Sequence, residues 1–161
     1  MGAIVSINSC LILILNCELG LPLTIRVWLK RLSAELEIPT RFESIEMNDG
    51  AKLKSSLVEI RGLDKTGLRT RLLIAGSNLE DAITFECLEA LAEGFDVFLP
   101  TDLIIVSRPN FATFHWDRLK QAGAVPTTMA QMLDEWSLSS QDITMNSKIK
   151  TLAAEFKLFI S

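Results

Sequence analysis

The residues best suited to chemistry in this chain gather behind an apolar stretch that ends at Gly76, in the run Ser77-Asn78-Leu79-Glu80-Asp81. Adjacent carboxylates such as Glu80 and Asp81 can divide general-acid and general-base work when their surroundings push their proton affinities apart. Acids at the head of a helix also complement the positive end of its dipole, and that simpler reading is preferred here. A second polar cluster, Asn16-Cys17-Glu18, follows the apolar run Cys10–Leu15. Oxygen atoms of Asn16 and Glu18 are too few to define a cation site. The single histidine, His115, has no second imidazole and no serine elbow. It therefore reads as a surface or packing residue rather than a zinc ligand or triad member. Asp102 follows a strand and reads as a structural cap. Cys10, Cys17 and Cys87 lack any metal-binding spacing. Neither a metal nor a cofactor is expected.

The elements that must position these residues are legible from periodicity. Cys10–Asn16 has the unbroken apolar character of a strand covered on both faces. Thr24 is placed to cap a helix carrying Ile25, Trp28, Leu29, Leu32 and Leu36 on one stripe. A weaker strand is expected over 38–46, then a helix over 54–65 with Gly67 as its stop. Arg71–Gly76 is the clearest buried strand. It leads through Ser77–Asp81 into a helix from about Ala82 to Glu93, stopped by Gly94, with Ile83, Cys87, Ala90 and Leu91 inward. A strand over 95–101 follows. Asn110 is read as the cap of a helix running to Gln121 and stopped by Gly123. A short strand at 124–126, a helix capped by Thr128 and a last helix at about 146–160 complete the chain, the last with Ile149, Leu152, Ala153, Phe156 and Ile160 on one side. Alternation of this kind predicts one domain over 1–161, a three-layer α/β/α sandwich with a Rossmann-like, mostly parallel sheet. Ligands of such sheets sit beyond the strands' carboxyl ends, where strand order reverses. Asn16–Glu18 and Gly76–Asp81 are expected there.

Bulk properties exclude several classes. The chain has 161 residues, 48% of them hydrophobic and 22% charged, enough to build a core without disulfides or metals. A net charge of −4 offers no basic face for nucleic acid. The run Cys10–Leu15 is too short for a bilayer, so no membrane partner is expected. Cys10 and Cys87 occupy apolar positions, as free thiols do in a reducing compartment, and a cytoplasmic location is expected.

Longer patterns are more specific. Leu63-Asp64-Lys65-Thr66-Gly67 precedes Arg71-Leu72-Leu73-Ile74-Ala75-Gly76. Then come Glu89-Ala90-Leu91-Ala92-Glu93-Gly94-Phe95-Asp96-Val97, Asp102 and Arg118-Leu119-Lys120-Gln121-Ala122-Gly123-Ala124-Val125. Thr127-Thr128-Met129 and Leu133-Asp134-Glu135-Trp136 close the series. In this order and register the chain resembles the isochorismatase-like cysteine hydrolases, over its second half without gaps and over its first half more loosely. The resemblance implies a cysteine nucleophile at the head of the helix after the central strand, where the macrodipole favours a thiolate. It also implies an acid–base aspartate after the first strand and a lysine from a middle strand.

This chain departs from that pattern. Ala82 stands at the nucleophile position, Asn16 at the aspartate position, Leu79 at a loop threonine and Glu18 at a glutamine. Lys52 or Lys54 is the nearest candidate for the lysine. A methyl group forms no acyl intermediate, and a neutral carboxamide moves no proton. The expectation is a hydrolase-fold chain inactive as a cysteine hydrolase, keeping a scaffold or ligand-binding role. A vestigial pocket of Asn16, Glu18, Gly76, Ser77, Asn78, Leu79, Glu80 and Ala82 would take a small carboxylate or amide. Alternatives are an oligomeric structural or regulatory partner of an active paralogue, and a hydrolase of C–N or ether bonds using water activated by Glu18 or Glu80. A homo-oligomer is expected, with Phe111, Phe114, Trp116 and Phe156–Ile160 available as interface.

Overall fold

Cys10–Leu15 forms strand β1, with all six side chains buried. Period-two alternation sends Cys10, Ile12 and Ile14 into one core cluster and Leu11, Leu13 and Leu15 into the other. In this computed structural model, which describes residues 5–44 and 56–160, the remaining elements follow in chain order. They are α1 (Leu23–Glu35), β2 (Thr40–Glu43), α2 (Leu57–Leu63), β3 (Arg71–Ser77), α3 (Thr84–Ala92), β4 (Asp96–Pro100), β5 (Ile104–Ile105), α4 (Ala112–Ala122), β6 (Val125–Thr127), α5 (Met129–Ser139) and α6 (Ile143–Ile160).

The strands make one sheet in the order β2-β1-β3-β4-β6, with β5 also on β3 and every pairing parallel. Side chains of α1, α5 and α6 fill one face, where the rings of Trp28 and Phe156 lie 4.7 Å apart. Those of α2, α3 and α4 fill the other. The expected three-layer α/β/α architecture is therefore the one that forms. Strand order reverses between β1 and β3, so their carboxyl ends border the position where such sheets hold ligands. No helix among the described residues is long and apolar enough to cross a membrane.

Several boundaries differ from expectation, each for a local reason. Pro22, with φ −57°, takes the cap position of α1, and Thr24 falls inside the helix. Pro109–Phe111 winds a 3₁₀ turn, so the cap of α4 moves to Phe111 and Asn110 does not cap it. Helix α2 stops at Leu63 rather than near Gly67. The Asp64 carboxylate accepts the N–H groups of Thr66 and Arg69 and leaves the helical path. Helix α6 begins at Ile143, earlier than expected, because the Asp142 carboxylate accepts from the N–H groups of Thr144 and Met145. Ile160 is exposed, whereas Ile149, Leu152 and Phe156 are buried. The stops at Gly94 and Gly123 and the Thr128 cap are as expected, the Thr128 hydroxyl accepting the Gln131 N–H at 3.1 Å. Strand β5 has no counterpart in the sequence reading.

Candidate functional site

β1 and β3 pair in register from Cys10 with Arg71 to Leu15 with Gly76. The backbones approach so closely at the last pair that a Cβ on Gly76 would lie 1.9 Å from the Leu15 carbonyl oxygen. Gly76 also has a φ of +114°, so only glycine ends the strand this way. Asn16, in the left-handed region at φ 46°, turns its side chain toward β3. Its Nδ2 donates to the Ser77 carbonyl at 3.1 Å, and the residue is 6% exposed. The Ser77–Asn78 peptide is cis.

Beyond Asn78 the chain makes a wide π turn over Leu79–Ile83 before α3 begins. The Ile83 N–H donates to the Asn78 carbonyl at 3.0 Å, and the Thr84 hydroxyl donates to that of Leu79. Ala82 therefore lies within a turn and not at the helix head. It is 1% exposed, and it packs with Leu79 in the core cluster under α3. Leu79 and Ala82 are core side chains.

β4 pairs only with the first half of β3, and β5 takes over at the carboxyl end, setting Ile105 opposite Ser77. From the other side Gly20 closes in. A Cβ there would sit 2.8 Å from Ile105 Cγ1 and 3.0 Å from the buried Ser77 Oγ. Asn16, Gly20, Ser77 and Ile105 thus come together beside the ends of β1 and β3. Gly20 and Ile105 escaped the sequence reading, although the four-residue apolar run Leu103-Ile104-Ile105-Val106 could have signalled a strand.

The acidic residues have structural duties. Both oxygens of Glu80 accept the Ser107 N–H at 3.0 Å, tying the π turn to the segment after β5. Asp81 is exposed. Glu18 is exposed and accepts the Ser44 hydroxyl at 2.9 Å. Its own backbone N–H and that hydroxyl hold its carboxyl below the usual range. Asp102 accepts the Met129 N–H at 2.8 Å and 3.1 Å and caps α5, although burial raises its carboxyl. Lys52 and Lys54 lie outside the described residues.

None of the thiols is poised as a nucleophile. Burial pushes the Cys87 thiol up to about 12 and raises that of Cys10. Cys17 is half-buried, and both partial burial and the neighbouring Glu18 charge raise its thiol. Among the described residues no group of three or more His, Cys, Asp and Glu side chains could hold a metal ion. Trp116 packs against the core and is not part of the exposed aromatic group, which reduces to Phe111 and Phe114. Phe156 is likewise internal.

No protein-family profile matches the chain. Over 67 residues it is 43% identical to the probable hydrolase YcaC of Escherichia coli K12, a stretch taking in 40% of this chain and 31% of that protein. The chain thus matches only about a third of that relative's length. Among solved structures it is similar to the YcaC gene product from Escherichia coli, described as an octameric hydrolase of unknown specificity. That likeness has a TM-score of 0.62 at 18% identity and covers 99% of this chain and 98% of the other. YcaC from Pseudomonas aeruginosa, with hexane-2,5-diol and covalent acrylamide, matches at TM-score 0.66 and 21% identity over 98% and 97%. MAR1 ribonuclease from Caenorhabditis elegans matches at 0.67 and 15% over 93% and 92%. At such identities the likeness defines architecture, and this chain has the isochorismatase-like hydrolase fold.

Proposed function

We propose that this protein keeps the isochorismatase-like scaffold without cysteine-hydrolase chemistry and acts as a subunit of an assembly. The observation that carries this reading is the hydrogen bond from Asn16 Nδ2 to the Ser77 carbonyl, taken with the burial of the Ala82 methyl group in the core. The acid–base position is spent on joining two strand ends, and the nucleophile position is spent on packing. Hydrolysis through Glu80 is disfavoured because its carboxylate already holds the Ser107 N–H. Assembly draws support from the octamer described for the Escherichia coli relative. The side chains available to it are Phe111, Phe114, Phe159 and Ile160, all exposed.

Two measurements test the reading. Light scattering after size exclusion should give a mass several times 17.9 kDa, and a monomer at micromolar concentration would refute assembly. A panel of small amides should show no turnover with the natural protein. Turnover that survives thiol alkylation and is lost in Glu18→Gln or Glu80→Gln would replace this reading with water-mediated hydrolysis. The pair Asn16→Asp with Ala82→Cys probes the ancestral chemistry: burial of position 82 in the core predicts that it too stays inactive.

A further inference from the structure

A cavity of about 430 Å³ opens at the amino ends of β3 and β4, at the opposite end of the sheet from Asn16 and Gly76. Its walls combine two chemistries. Phe98, Val125 and Pro126 supply apolar surface, while Arg71, Asp96 and Glu135 supply charge. Arg71 opens β3, pairs in register with Asp96 of β4, and is half-buried. Among the described residues its guanidinium makes no hydrogen bond and no ion pair. Other arginines of this end of the fold are neutralised internally. In the adjoining 330 Å³ cavity Arg61 lies 3.5 Å from Glu93, and Arg69 lies 3.9 Å from Asp64. Among the described residues Glu135 meets the Val5 N–H, at a long 3.4 Å.

A half-buried guanidinium presents a planar fork of donors that matches a carboxylate. Two carboxylates around the same space oppose a purely anionic ligand and favour one that also carries a cation. The volume lies within the range of small-molecule sites, and the apolar wall suits a hydrocarbon side chain. We propose that this cavity binds a zwitterion, an α-amino acid with an apolar side chain, its carboxylate on Arg71 and its ammonium between Asp96 and Glu135.

The test is a calorimetric titration of the full chain with L-leucine, isovalerate and isopentylamine. Leucine should bind saturably. Each half-ligand should bind about tenfold more weakly or less, the equivalent of one charge-assisted hydrogen bond. Arg71→Gln should weaken leucine by a similar factor. Should that variant fail to fold, Asp96→Asn at the exposed start of β4 decides. It should weaken leucine several-fold while strengthening isovalerate, a change of preference that a merely structural effect would not produce. Absence of saturable leucine binding at millimolar concentration, isovalerate binding as tightly as leucine, or an unchanged preference in Asp96→Asn would overturn the assignment.

Discussion

Replacing Asn16 by aspartate exchanges a carboxamide for a carboxyl of the same shape at a site that is 6% exposed. In the natural protein Nδ2 donates to the Ser77 carbonyl at 3.1 Å. An ionised carboxylate there would set one acceptor against another away from water. It would forfeit the bond, worth about 1 kcal/mol, and carry a desolvation cost as well. The protonated carboxyl escapes both, because its O–H can donate to the same carbonyl. Its proton affinity in the folded state should therefore rise above the unfolded value of about 3.9. A rise of about two units corresponds to a penalty of about 2.7 kcal/mol. The sign follows from linkage. Below the unfolded value both states are protonated and the variant should resemble the natural protein. As pH rises, the unfolded state ionises first and stability falls, levelling off once the folded carboxyl has also ionised, near about pH 6. Urea unfolding of both proteins at about pH 4, 5 and 8 measures the difference. A penalty independent of pH would refute the argument, because it would mean that the new carboxyl reaches water or a cation.

Three further outcomes follow from the same contacts. Phe156→Ala should cost about 3–5 kcal/mol in urea unfolding, since a fully buried ring against Trp28 leaves a cavity between α1 and α6. Gly76→Ala should abolish soluble expression, because its Cβ would overlap the Leu15 carbonyl, whereas Gly67→Ala, with open space around it at φ +69°, should cost only about 1–2 kcal/mol. Titration with a disulfide reagent should modify Cys17 in the native protein and reach Cys10 and Cys87 only after denaturation. Cys17→Ser should remove the native phase.

The sheet's interior was readable because burial on both faces leaves a local mark. Cys10–Leu15 and Arg71–Gly76 are runs that only a covered parallel strand uses. Helix stops at Gly94 and Gly123 were equally plain, since a positive φ there is itself a local requirement. Boundaries failed where a neighbouring residue outcompeted the apparent cap, as Pro22 does Thr24 and as Asp142 does the later start expected for α6. Two-residue β5 was missed although an apolar run spans it, because so short a strand carries no periodicity. It exists because β4 leaves β3 after Phe98 and exposes an edge that Ile104 and Ile105 fill.

For the candidate site, sequence alone determined what two residues cannot supply: alanine at 82 has no thiol and asparagine at 16 no titratable proton, whatever the fold around them. Only the tertiary structure decided what those side chains do instead. Asn16 and Ser77 are 61 positions apart, and the bond between them depends on the register of β1 against β3. Ala82 is a core residue because a π turn, held by Asn78 and Thr84, keeps it short of the helix head. The approach of Gly20 to Ile105 joins the turn after β1 to β5. Such encounters are set by how two strand ends and a distant segment converge, and no spacing along one segment encodes them.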